Sequence, residues 1–228
     1  MPLDWQGLTQ EELRTKVADH VRSVLSAIKQ AGVPVAWVQV GNETRNGMMH
    51  PAGQLWNDKG DLKDGWKHFA ELYMAGYQAA KAVYPEAQCI VHLDGGCDQQ
   101  RYDFIFDGLR KYGAHWDMIG LSVYPYWDME AKLTKSEDET LEKVMDNIRH
   151  LHEKYGSETM IVETGVDVRK PKQGKTFLQR LIRRAQAEPH CHGVFYWAPE
   201  LEDGAYWLGA FSNRRPTEIM DAFSVPLP

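Results

Sequence analysis

Two glutamates stand at the ends of apolar segments: Glu43 closes "VQVGNE" (38–43) and Glu163 sits in "TMIVET" (159–164). An amide and a carboxylate cost free energy to bury. At such positions they either face solvent in a loop or are placed for chemistry. Paired carboxylates suit one kind of chemistry. One stays protonated and donates to a leaving oxygen; the other stays ionised and attacks, or activates water. Their surroundings must separate the two affinities for the proton. Aromatic neighbours would favour the neutral form of Glu43. A tyrosine hydroxyl such as that of Tyr124 would hold Glu163 ionised. The two are 120 residues apart, 163 − 43, so only the fold can bring them together. The bland alternative is two solvated loop residues. Against it stand Asn42, beside Glu43, and His92, Asp94, Tyr124, Trp127 and Trp197 at the ends of apolar segments.

The elements that must position these residues alternate. Thr9-Gln10-Glu11-Glu12 has the form of a capping box, in which hydroxyl and carboxylate satisfy free amide donors at a helix start. Leu13, Val17, Val21, Val24, Leu25 and Ile28 follow at helical spacing, and Gly32 with Val33-Pro34 ends the helix. A strand is expected over 36–40. Helices are then expected over 66–83, 102–111, 139–155 and 176–187. The strands between and after them are expected over 88–92, 117–124, 159–164 and 193–197, and a short helix over 217–223 closes the chain. Short strands that are apolar on both faces and separated by helices indicate a parallel sheet with helical crossovers. The stretch 44–65, with five Gly and Pro residues, reads as a long loop, and such loops in a compact domain are usually functional or disordered. Five strands would suffice for an open doubly wound sheet, whereas a (β/α)8 barrel needs eight, so the pattern alone favours the open sheet. Polar and aromatic residues at successive strand ends favour the barrel, whose ligands bind at the carboxyl ends of the strands.

Composition narrows the class. The chain has 228 residues, 43% hydrophobic, with a net charge of −6. One sizeable core is expected, with a single domain over 1–228. The dispersed acidic charge indicates neither a nucleic-acid nor an anionic-membrane partner. Eight Trp and ten Tyr, several beside Gly, Pro, Asn or Asp, suit the stacking of sugar rings as well as ordinary packing. Cys89, Cys97 and Cys191 form no metal spacing and no disulfide framework, and the nine histidines show no HExxH pattern. No metal or cofactor is expected. No apolar run is long enough to span a membrane, and the N-terminus lacks the apolar region of a signal peptide.

At this point the residues resemble a family. "WVQVGNETRNGMMHP", "IVHLDGGCDQQRYDFIFDGL", "MIGLSVYPYW", "IVETG", "GVFYWAPE" and "GAFSNRRPTEIMDAF" together are similar to glycoside hydrolase family 53, the endo-β-1,4-galactanases. The likeness runs from "PLDWQGL" to Phe223. Asn-Glu after a strand is shared by many retaining glycosidases; the set is far more specific. The resemblance implies an α/β fold, a (β/α)8 TIM barrel of the retaining glycosidase type. Here it would be a partial barrel lacking about the first three strands, because the chain looks to begin at the third barrel helix. It implies Glu43 as acid/base, Glu163 as nucleophile, and Asn42 on the sugar 2-hydroxyl. It places Tyr124 near the nucleophile and Trp197 as the floor of the −1 subsite. His92 and Asp94 would line the cleft. Trp127, with Trp56 and Trp207, is a further candidate sugar platform, and Trp116 is assigned to packing. The implied substrate is β-1,4-galactan polysaccharide or galacto-oligosaccharides. A secreted, periplasmic or cell-surface protein is implied, monomeric if the barrel is complete. Met49-His50 and Cys97 stand where the family often has aromatics. No calcium is expected in the loop after Glu163, which shows no cluster of oxygen ligands. Two other readings stay open: a catalytically inactive glycan-binding remnant, and an unrelated open α/β fold with fortuitous glutamates.

Overall fold

A computed structural model describes residues 1–202 and 204–224. In chain order its elements are α1 (Gln10–Gln30), β1 (Trp37–Gln39), β2 (Gly47–Met48), β3 (Gly53–Gln54), α2 (Trp66–Val83), β4 (Gln88–Leu93), α3 (Gln99–Lys111), β5 (Met118–Val123), α4 (Pro125–Glu130), α5 (Glu137–Tyr155), β6 (Glu158–Thr164), α6 (Pro171–Ala187), β7 (Cys191–Val194), β8 (Phe211–Ser212) and β9 (Arg215–Pro216). A 3-10 helix, Glu218–Ser224, follows them.

The capping box forms as expected. The Glu12 amide donates to Thr9 Oγ1, and the Thr9 amide to Glu12 Oε2 at 2.8 Å. Such a cap is worth on the order of 1 kcal/mol. α5 starts two residues before the expected boundary because Ser136 caps it, accepting the Glu139 amide at 3.1 Å. α6 starts five residues early, with Pro171 in its first turn, where a missing N–H is harmless. The "YPYW" stretch is the short helix α4, again opened by a proline.

The five main strands hydrogen-bond in the order β1-β4-β5-β6-β7. β1 runs parallel to β4, with Val38 opposite Cys89, and β6 parallel to β7. A doubly wound sheet reverses its strand order at a switch point. Here the order simply follows the chain, which is the winding of a (β/α)8 barrel. The fold is therefore a partial barrel of five parallel strands with helices, and the open-sheet alternative is excluded.

The expected strand over 193–197 lies earlier, at Cys191–Val194. Its register with β6 shifts: Thr159 faces Cys191, but Ile161 faces Val194. That extra residue is a bulge. Beyond it the Phe195 and Trp197 amides still bond the Ile161 and Thr164 carbonyls at 2.8 and 3.0 Å. The loop expected over 44–65 contains the β2–β3 hairpin. Asn46 organises it, because its Oδ1 accepts the Leu55 and Trp56 amides at 3.1 and 2.6 Å.

Contacts group the chain into two units: 1–92 with 101–118, and 93–100 with the residues from Ile119 onward. The core of the first joins α1, α2 and β4 through Leu25, Ala80, Val83 and Cys89. Val24, although in helical register, is exposed. Gly76 on α2 admits Val40: a Cβ there would lie 2.6 Å from the valine's Cγ1. Asp117 ties three elements together. It accepts the Cys89 amide at 2.8 Å and the Tyr77 hydroxyl at 3.1 Å, and pairs with Lys81 at 2.7 Å. Trp116 packs on Phe106, as expected. The core of the second unit is built from β5, α5 and α6, with Leu121, Val144, Ile148, Phe177 and Leu181 fully buried or nearly so.

Candidate active site

β1 ends at Gln39, and the Val40 amide makes one more bond, to the Ile90 carbonyl. Gly41 then takes φ +86°, and Glu43 itself sits in the left-handed region at φ 45°, ψ 54°. For a non-glycine residue this is a strained backbone that the surroundings must hold. Thr44 does so from one side, donating its hydroxyl to the His92 carbonyl at 3.2 Å. The His92 ring does so from the other, with Nδ1 accepting the Glu43 amide at 3.4 Å. His92 is 0% exposed, and burial pushes its pKa down to about 4. A neutral ring that accepts at Nδ1 carries its proton on Nε2.

Asn42 is exposed beside Glu43, its Oδ1 accepting from Gln39 at 3.2 Å. Both line an open cavity of ≈ 530 Å³, together with Asn46, Met49 and His50. His50 Nε2 lies 2.8 Å from the Asn46 carbonyl. The strand thus ends in an amide and a carboxylate because the backbone leaves the sheet there and turns both side chains to a cavity.

The second unit holds the other carboxylate. Glu163 is the next-to-last residue of β6 and half-buried. The Tyr124 hydroxyl, just past β5, donates to Glu163 Oε2 at 3.1 Å. Tyr124 can lie there because Gly165 has no side chain: a Cβ on it would lie 2.9 Å from Tyr124 Cε1 and 2.8 Å from the Leu208 carbonyl oxygen. Thr164 fixes the strand end, its hydroxyl donating to the Val123 carbonyl at 2.7 Å.

Trp197 is tied to the same place by its amide bond to Thr164 and is 41% exposed, with Tyr206 edge-on at 5.1 Å. Trp127, 48% exposed, meets Tyr126 and Trp207 edge to face. Arg169 lies 4.9 Å over the Trp207 ring. Trp56 instead stacks on Phe104 at 5.1 Å, so one of its faces is already used in packing. Asp94 opens the loop after β4 and is half-buried. Cys97, in the same loop, is buried; burial and the nearby Asp128 push its thiol well above the ordinary range.

The structure therefore gathers Asn42, Glu43 and His92 in the first unit, and Tyr124 with Glu163 in the second. Sequence reasoning missed the supports. Thr44 and Asn46 are short polar residues of a kind common in any loop. Tyr196 is half-buried with its hydroxyl on the Leu208 and Gly209 carbonyls at 3.0 and 2.8 Å, and the partial burial pushes its pKa up to about 12. Its aromatic neighbours Phe195 and Trp197 disguised it in the sequence.

A family model described as glycosyl hydrolase family 53 matches residues 1–212. An uncharacterised protein of Niallia circulans is 33% identical over 163 residues, covering 72% of this chain and 42% of its own length. The arabinogalactan endo-beta-1,4-galactanase A of Emericella nidulans is 25% identical, covering 90% of this chain and 60% of its own length. A solved fungal beta-1,4-galactanase structure superposes with a TM-score of 0.81 at 20% identity, covering 98% of this chain and 71% of that one. The chain thus spans about half the length of the curated relatives it matches.

Proposed function

The chain belongs to glycosyl hydrolase family 53, and we propose that its site serves an endo-acting, retaining hydrolysis of β-1,4-galactan. In this reading Glu163 attacks the anomeric carbon as the glycosidic C–O bond breaks. Glu43 gives its proton to the departing oxygen, leaving a covalent galactosyl ester on Glu163. Glu43, now a carboxylate, takes a proton from water as that water attacks the same carbon and releases Glu163. The chemistry requires the two carboxyls to lie ~5–5.5 Å apart across one sugar; ~6.5–9.5 Å would leave room for a water and give inversion.

The observation that carries the reading is the Tyr124 hydroxyl on Glu163 at the carboxyl end of a barrel strand. A phenol that donates to a carboxylate holds one of its oxygens in a fixed place, which orients the group for attack. Asn42 is assigned to the sugar 2-hydroxyl. Trp197 is assigned to the sugar face at the cleavage point, with Trp127 on a neighbouring sugar. His92 supports the Glu43 backbone, and Asp94 lines the cleft. A polysaccharide substrate fits a secreted, periplasmic or cell-surface setting.

The test is galactan hydrolysis by the chain, by Glu43→Ala and by Glu163→Ala, with and without azide. Loss of turnover in both variants is expected. Azide should rescue Glu163→Ala alone, giving a galactosyl azide of α configuration, because azide attacks from the face the carboxylate used. Near-normal turnover by Glu163→Ala would overturn the assignment. A second reading, a glycan-binding chain without turnover, is favoured by the exposed Trp127 and Trp197 faces, which hold sugar without any carboxylate. Galacto-oligosaccharide binding with no product from the unaltered chain would select it.

A further inference from the structure

At the opposite end of β6 from Glu163, the second unit assembles a cluster that no local motif announces. α5 ends at Gly156, which takes φ +67° and returns its amide to the His152 carbonyl. That tight stop brings Glu158, the first residue of β6, back beside His152. His190 and His192 arrive at the start of β7. His152 Nδ1 lies 3.3 Å from Glu158 Oε1, and His190 Nδ1 lies 3.2 Å from the same oxygen. His192 Nε2 lies 3.1 Å from Glu158 Oε2. The His152 and His190 rings are stacked, with centroids 3.4 Å apart.

We propose that His152, Glu158 and His190 form a binding site for a divalent ion of the zinc class, with His192 orienting the carboxylate. The ligand atoms of the three residues all lie within 4.8 Å of one another. Four ligands at zinc's ~2.0–2.1 Å bond lengths are separated by ~3.3–3.4 Å along the tetrahedron's edges. The two Nδ1–Oε1 separations already match that spacing. His190 is anchored independently of any ion, since its carbonyl accepts both the amide and the hydroxyl of Thr159, at 2.8 and 2.7 Å. The hydrogen bond from His192 fixes the carboxylate, as partners of metal ligands commonly do. The near-parallel rings aim their lone pairs side by side, so coordination turns one ring about its Cβ–Cγ bond. The four side chains are 30–40% exposed, which leaves that turn free and one coordination position open to water. Glu158 and Glu163 lie five residues apart on one strand, ~16 Å. The ion would clamp the bases of α5, β6 and β7 without entering the reaction.

Zinc binding by equilibrium dialysis, with visible absorption on loading with cobalt(II), tests this on the whole chain. One ion per chain is expected, with the d–d bands of a tetrahedral nitrogen–oxygen site. At a free zinc concentration a hundred times Kd, the melting temperature should rise by roughly 5–10 °C. His190→Ala and Glu158→Gln should each weaken binding by at least ~10-fold, while His20→Ala, on α1, should not. Absence of stoichiometric binding, or of the tetrahedral cobalt spectrum in the unaltered chain, would overturn the proposal. So would equal binding by the His190→Ala and His20→Ala variants.

Discussion

The fully buried His92 gives the sharpest quantitative expectation. Burial lowers its pKa from the ordinary value near 6.5 to about 4, so the folded chain refuses a proton that the unfolded chain accepts. Above pH 6.5 the ring is neutral in both states and its contribution to stability is complete. As pH falls from 6.5 toward 4 the unfolded state gains protons and stability is lost. The gap between the two values corresponds to about 3 kcal/mol. For a chain of this length that is roughly 6–12 °C in melting temperature. Protonation would also add a hydrogen at Nδ1, where the Glu43 amide now donates, so the strained backbone at Glu43 would loosen in the same pH range. The assay is urea unfolding of the unaltered chain and of His92→Gln at half-unit steps from pH 7 to 4. Carboxylates and the other histidines titrate alike in both proteins, so the difference between the two curves isolates His92. The unaltered chain should lose about 3 kcal/mol more than the variant across that range. Parallel curves would refute the burial reasoning.

Tyr124→Phe removes a hydrogen bond to a charged group, worth about 1.5–3 kcal/mol. kcat/KM on galactan should fall about 10- to 100-fold with the fold intact by circular dichroism. Gly165→Ala places a methyl against Tyr124 and the Leu208 carbonyl; overpacking should cost about 1–3 kcal/mol in urea unfolding and reduce turnover together with stability. Asp117→Ala strips partners from the Cys89 amide, Tyr77 and Lys81 and should lower unfolding free energy by about 1–3 kcal/mol, leaving galactan turnover per folded molecule unchanged. Trp197→Ala should weaken oligosaccharide binding, read by calorimetry, by more than it lowers the unfolding free energy in urea, because much of the residue is exposed.

The local sequence determined what is local in origin. The Thr9 capping box, the helical spacing that ends at Gly32, and the largely apolar runs of β4 and β5 each act within a few residues, so their pattern survives in one dimension. The polar ends of the apolar runs, with Glu43 after β1 and Glu163 in β6 among them, were legible for the same reason. Element edges set by a neighbour were not. The shift of β7 away from 193–197 goes with a bulge against β6, where Ile161 pairs with Val194 although Thr159 pairs with Cys191. Strand order, which separates a barrel from a doubly wound sheet, was likewise decided only by tertiary structure, since five alternating strands and helices fit both. The His152–Glu158–His190 cluster shows the limit most plainly. Its members come from the end of one helix and the starts of two strands, so no spacing rule along the chain could reveal that their ring nitrogens meet on a single carboxylate.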